Sequence, residues 1–166
     1  MILIGLGGNL ESARFGPPRR TLEAALERLE SQGIRVLARS GFYLSAPVPA
    51  SSQPWYVNAV ARVETGLSPQ ALLAALLALE AEFGRSRTVL NAARVLDLDL
   101  LAYDDRVTPV DAHPALPHPR LTRRAFVLLP LAEIAADWRH PGTGAPVSAL
   151  IAALPPDQTA RPMDRR

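Results

Sequence analysis

Arg94-Val95-Leu96-Asp97-Leu98-Asp99-Leu100-Leu101-Ala102-Tyr103 is the stretch on which the fold turns. Val95 to Tyr103 alternates apolar and other residues and then meets Asp104-Asp105, which reads as a strand ended by a turn. Side chains two apart on a strand share a face. The leucines therefore point toward a core, and both carboxylates leave the opposite face roughly 7 Å apart along the strand.

Working outward, the segment before this strand is a helix. Ser68-Pro69 supplies an N-cap followed by proline at the first helical position, and Leu72, Leu76, Leu79 and Phe83 form one apolar stripe ended by Gly84. Before it, Ile34 to Leu44 and Tyr56 to Glu64 are rich in β-formers and flank the proline-rich loop Ser45 to Pro54, so they read as two strands. Met1 to Leu6 is a short apolar run consistent with a buried strand. Leu22, Ala25, Leu26 and Leu29 then follow helical spacing up to Gly33. The order strand, helix, strand, strand, helix, strand is the split βαβ or ferredoxin-like arrangement. We therefore expect an α+β sandwich with an antiparallel sheet, both helices on one face, and additional C-terminal helices near Arg123 to Ala135 and Pro146 to Leu154. Residues 1–154 are expected to form one domain and 155–166 a flexible, proline-rich tail.

Composition removes several chemistries. Among the 166 residues are 18 Arg, no Lys and no Cys, which excludes a Walker A loop, Schiff-base catalysis, disulfides and thiolate sites. No apolar run approaches the ~20 residues of a membrane span, and Met1 to Gly5 lacks the basic region of a signal peptide, so a cytoplasmic protein without membrane association is expected. The net charge is only +2, which argues against a nucleic-acid partner. The arginines instead gather in two groups, Arg85, Arg87 and Arg94, and Arg120, Arg123 and Arg124, which suits a polyphosphate.

The chemistry-bearing residues follow from the same strands. Asp97 and Asp99 on one rigid face could hold two Mg²⁺, which bind through one or two carboxylates and substrate phosphates; solvated acids on a wet strand face are the bland alternative. Arg85, Arg87 and Arg94 can converge beside them to grip phosphate oxygens. Tyr56 and Asn58 share a face two residues apart, one offering a ring to stack on and the other a donor and acceptor for a heterocycle edge. With the first strand between the third and fourth, Asn58 and the aspartates should face the same opening. Gly5-Leu6-Gly7-Gly8-Asn9 reads as a turn, and His118 stands near the second arginine group.

With these residues in view, the sequence resembles the 6-hydroxymethyl-7,8-dihydropterin pyrophosphokinase family of folate biosynthesis. The resemblance runs from about residue 1 to about residue 154. Its signature is Arg94-Val95-Leu96-Asp97-Leu98-Asp99, supported in family order by Gly7-Gly8-Asn9-Leu10, Phe42-Tyr43, Tyr56-Val57-Asn58-Ala59, Gly84-Arg85-Ser86-Arg87, Pro117-His118 and Arg124-Ala125-Phe126-Val127-Leu128-Leu129-Pro130-Leu131. It implies transfer of pyrophosphate from ATP to the pterin alcohol, with two Mg²⁺ on Asp97 and Asp99. It implies ATP contacts from Glu80, Arg85, Arg87, Arg94, His118 and Arg124, with Arg85 and Arg94 acting in catalysis. Tyr56 and Phe126 would sandwich the pterin, Asn58 would bond its edge, and Ala46, Pro47 and Val48 would line its loop. By residue pattern alone, Phe126 reads as helix core and Glu80 as a solvated helix residue. The chain departs from the family pattern at Asn91-Ala92-Ala93, where Trp-Gly-Pro is usual, at Ser45-Ala46-Pro47, at Gly8 and at Pro119. The competing class is a non-catalytic ferredoxin-like module that binds a nucleotide or other ligand for regulation. The sequence leaves the oligomeric state open, a monomer being the simplest expectation.

Overall fold

The computed structural model describes residues 1–85 and 90–164. Its sheet is built from β1 (Ile2–Gly8), β2 (Arg35–Arg39), β3 (Tyr43–Ser45), β4 (Tyr56–Glu64), β5 (Asp97–Tyr103) and β6 (Ala160–Pro162). The helices are α1 (Pro18–Ser31), α2 (Pro69–Glu82), α3 (Ala125–Ile134) and α4 (Val147–Ala152), with a 3-10 turn at Leu121–Arg123. The strands run in the order β5-β1-β4-β3-β6, with β2 also on β4, and every pairing is antiparallel. This is the expected α+β ferredoxin-like sandwich.

Local chemistry sets the helix ends. Ser68 accepts a hydrogen bond from the Ala71 N–H and Pro69 opens α2, as the sequence indicated. Gly33 and Gly84 stop α1 and α2 with φ of 79° and 90°, the left-handed conformation that glycine adopts at least cost.

Two elements differ from expectation. The strand read over Ile34 to Leu44 is broken at Ser40-Gly41-Phe42 into β2 and β3. The Ser40 hydroxyl accepts from the Val60 N–H at 3.0 Å, and the Gly41 N–H leaves the ladder to donate to Glu133 on α3 at 2.7 Å. A β-former count cannot register such a side chain substituting for the ladder. The proline-rich C-terminus does not fray along its whole length, because Ala160–Pro162 pair with Ser45, Leu44 and Tyr43 to add a strand.

Each sheet face carries its own core. On one, Ile4, Leu6, Ala59, Ala61, Leu96, Leu98 and Leu100 pack beneath Leu22, Leu29, Leu72, Leu76 and Leu79 of α1 and α2. On the other, Leu3, Val60 and Leu101 meet Leu121, Val127, Leu128, Leu131, Trp138 and Val147 from the C-terminal third. A bulge between β1 and β5 near Leu101 interrupts the alternation, so Leu101 and Ala102 both join this second core. The second core covers only one end of its face. The other end, where Asp97, Asp99 and Asn58 emerge, stays open.

Candidate active site

The open end of the sheet is the floor of a cavity of about 680 Å³. Its construction begins with β1. Gly7 lies opposite Asn58 on one side and Asp97 on the other, and Gly5 lies opposite Val60 and Asp99. Two rows thus cross three strands, with glycine in the middle of each. Neighbouring strands lie about 4.8 Å apart, so a trough nearly 10 Å wide separates the Asn58 amide from the aspartates. The Gly5 to Asn9 run is therefore strand through Gly8 and not a turn. A Cβ at Gly7 would sit 3.1 Å from Asn58 Oδ1, so any side chain there would push the amide aside by a few tenths of an ångström. At Gly8 a Cβ would come within 2.4 Å of the Val95 carbonyl oxygen, so the usual serine of the family does not fit this backbone.

The two acids carry different partners. Asp97 accepts from Arg85 Nη1 on one oxygen and from Arg94 Nη1 at 3.1 Å on the other. Asp99 accepts from Arg124 Nη1 at 3.2 Å and lies 4.0 Å from His118 Nε2. Burial, reinforced by the charge of Asp97, raises the Asp99 pKa above the ordinary carboxylate value against the pull of His118, Arg124 and Arg85. Burial lowers that of His118, with Asp99 opposing it. The His118 Nδ1 accepts from the Arg120 N–H at 3.1 Å, which leaves Nε2 as the donor directed to Asp99.

Glu80 departs from its reading by residue pattern. It is 1% exposed, so it is not a solvated helix residue, and its Oε1 accepts from Arg85 Nη1 and from the Leu98 N–H, each at 2.7 Å. Its carboxylate joins α2 to β5 and fixes Arg85, which lines the cavity. Desolvation works against the Arg85 charge, but Asp97 and Glu80 outweigh it and hold its pKa above the ordinary arginine value.

At the other end of the trough the amide of Asn58 donates to Ser45 Oγ at 2.8 Å, and Ala46, Pro47, Val48 and Tyr56 line the wall beside it. Phe126 faces the cavity from the first turn of α3, with the Arg124 guanidinium 5.4 Å from its ring centre. The helix-core reading of Phe126 holds in part: the half-buried ring packs against the second core, whose members Val127 and Leu128 are fully covered, and also lines the cavity. Arg120, Arg123 and Arg124 also border the space. Arg87 lies outside the described residues. A smaller cavity of about 370 Å³ adjoins, lined by Leu73, Leu77, Val110, Pro114 and His118, and it shares Asp99 with the first.

The sequence reading missed a buried polar hub. Asn9, 3% exposed, donates to Gln53 Oε1 and the Pro54 carbonyl and accepts from the Arg94 N–H at 2.9 Å. Gln53 in turn donates to the Asn91 carbonyl at 2.8 Å. One side chain thus ties β1 to both loops bordering the trough. Only an Asn directly after a glycine-rich strand hinted at it, and no periodicity marks a buried polar residue.

A glycine-floored trough with paired acids and converging guanidinium groups is the equipment of a group-transfer enzyme that handles polyphosphates. The chain belongs to the 7,8-dihydro-6-hydroxymethylpterin-pyrophosphokinase family, whose sequence model matches residues 3–136. It is 41% identical over 150 residues to the 2-amino-4-hydroxy-6-hydroxymethyldihydropteridine pyrophosphokinase of Synechocystis, covering 90% of this chain and 73% of that one. To the protein of the same name from Pseudomonas aeruginosa it is 39% identical over 155 residues, covering 93% and 91%. It also matches the folic acid synthesis protein fol1 of Pneumocystis carinii at 36% over 150 residues, 90% of this chain but only 20% of that longer protein. Among the described residues no helix is long and apolar enough to cross a membrane.

Proposed function

We infer that this chain transfers pyrophosphate from ATP to 6-hydroxymethyl-7,8-dihydropterin in folate biosynthesis, and that the reaction depends on two Mg²⁺ held at Asp97 and Asp99. The observation that carries this reading is the row Asn58-Gly7-Asp97 beside Val60-Gly5-Asp99, which sets an amide and two carboxylates on opposite banks of one open trough.

The donor set is consistent with Mg²⁺. Among the described residues no group of three or more His, Cys, Asp or Glu could hold a metal, which argues against an all-protein cage and suits an ion bound by one or two carboxylates plus substrate phosphates. When bound, Mg²⁺ would neutralise and polarise the phosphoryl oxygens between which the bond is exchanged. Arg85, Arg94 and Arg124 already supply the positive charge opposite the two acids, and in the substrate complex their guanidinium groups would trade carboxylate for phosphate oxygens.

The remaining residues divide between the substrates. The pterin lies between Tyr56 and Phe126, with its edge on Asn58 and with Ala46, Pro47 and Val48 beside it. The nucleoside occupies the adjoining smaller cavity between Leu73, Leu77 and Val110, so that its phosphates run past His118 and Asp99 toward Arg85, Arg94 and, from the loop that bears it, Arg87. The pterin hydroxyl oxygen bonds to the β-phosphorus while the bond from that phosphorus to the α–β bridging oxygen breaks; AMP leaves with the electron pair, and the hydroxyl proton is released with the products. Positioning and charge neutralisation supply the catalysis, without a covalent intermediate on the protein. Loops 45–54 and 84–93, joined through Asn9 and Gln53, close over the substrates and exclude water.

The regulatory-module alternative requires no catalytic arginine. Arg94→Ala should lower kcat/KM by about 2 to 4 kcal/mol, the loss of one preorganised charge-stabilising group. A variant weakened in nucleotide affinity alone, with unchanged kcat, would favour passive binding.

A further inference from the structure

The C-terminal segment adds Gln158 to the lining of the trough from beyond the residues matched by the family model, which end at 136. Its strand β6 pairs with β3 from Ser45–Ala160 to Tyr43–Pro162, and the hydrogen bonding continues past both ends of the pairing. The Ala46 N–H donates to the Thr159 carbonyl at 3.2 Å, and the Met163 N–H donates to the Phe42 carbonyl at 2.8 Å. One residue before Thr159, the Gln158 side chain reaches the opposite bank, where its Oε1 accepts from the Ala125 N–H at 3.2 Å.

That bond falls on a helix end with no cap of its own. Ala125 opens α3, and Arg124, in the N-cap position, makes no side-chain capping bond. A helix N-terminus needs acceptors for its first amides, and here the acceptor comes from 33 residues along the chain. Ala125 is flanked by Arg124, which pairs with Asp99, and by Phe126, which lines the trough. Residues 158 and 159 thus join Ala46 on one wall directly to the turn that presents Phe126 on the other, and Gln158 itself borders the space between.

We propose that Gln158 is a positioning residue for the pterin alcohol, holding the first turn of α3 at a fixed distance from the Ala46 wall so that the slot in front of Phe126 keeps the width of one flat ring system. The proposal rests on the placement of the pterin between Tyr56 and Phe126. It predicts an effect mainly on the acceptor substrate, because the strap touches neither Arg85 and Arg94 nor the smaller cavity, and Arg124, beside Ala125, keeps its own bond to Asp99.

Steady-state kinetics on the full chain test it. Gln158→Met keeps the shape and removes the acceptor. It should raise KM for the pterin alcohol about three- to tenfold, the size of one lost hydrogen bond, lower the melting temperature by only about 2 to 4 °C, and leave KM for ATP and kcat close to wild type. Gln158→Glu, which retains the acceptor oxygen, should return KM for the pterin to within about twofold of wild type. An unchanged pterin KM in Gln158→Met overturns the proposal, as does a rise shared equally with ATP or a failure of Gln158→Glu to restore binding. Phe126→Ala serves as the separate check: if it leaves the pterin KM unchanged, the placement of the pterin is wrong, whereas a large effect there with a silent Gln158→Met refutes the strap alone.

Discussion

Replacing Glu80 separates a residue that touches nucleotide from one that builds the site. Its Oε1 holds the Leu98 N–H and Arg85 Nη1, both inside the protein. Glu80→Gln can keep the bond to Leu98 but loses the charge opposite Arg85. Loss of a partner from a buried ion pair costs about 3 to 5 kcal/mol when the other charge is stranded, but Arg85 retains Asp97, so about 1 to 3 kcal/mol is expected. Glu80→Ala adds an unsatisfied buried N–H, about 1 to 3 kcal/mol more, and should melt roughly 6 to 20 °C lower. In Glu80→Gln the loosened Arg85 should lower kcat by about tenfold while nucleotide affinity, followed by titration with a non-hydrolysable ATP analogue, changes less than about twofold. Wild-type melting combined with a collapse of nucleotide affinity would instead mean that the carboxylate faces the ligand and does not build the site.

Asp97→Ala or Asp99→Ala should reduce AMP release by several orders of magnitude in a protein whose far-UV circular dichroism is unchanged, because both acids leave the sheet on its open end. Tyr56→Ala and Phe126→Ala should each weaken pterin binding, read by fluorescence titration, by about 1 to 3 kcal/mol. Asn91→Ala should leave pterin binding nearly unaltered, since Asn91 meets Gln53 through its carbonyl, and should instead cost about 1 kcal/mol of stability at its φ of 55°. Tyr43 is pushed up to about 12 from 10, first by burial and then by its hydrogen bond to Glu133 and the charge of that carboxylate. The native state therefore keeps a proton that the unfolded chain gives up above pH 10, so stability should fall as pH rises through this window, and Tyr43→Phe should flatten that slope in denaturant melts.

The parts of this molecule written in periodic patterns were legible in the sequence. The Leu-Asp alternation of β5 gave the face of each side chain, the Ser68-Pro69 cap and its leucine stripe gave α2, and the strand order then set Asn58 and the aspartates along one opening. What escaped depends on partners distant in the chain. Glu80 and Asn9 are buried polar residues whose acceptors and donors come from other elements, and a helical pattern marks such a position only as non-apolar. Gly5 and Gly7 matter for the side chains they lack in a three-strand row, which a glycine-rich run does not distinguish from a turn. Phe126 sits one residue from the core face of α3, a difference that requires the helix end to be known. The break at Ser40 and the pairing of Ala160–Pro162 are both set by long-range hydrogen bonds.

Pyrophosphate transfer in this trough is tested by mixing the protein with ATP, Mg²⁺ and 6-hydroxymethyl-7,8-dihydropterin and identifying both products by chromatography. AMP and the pterin diphosphate should form in equal amounts, with neither product when Mg²⁺ is chelated or the pterin omitted. Formation of ADP with a pterin monophosphate, or AMP released at the same rate without the pterin, would contradict it.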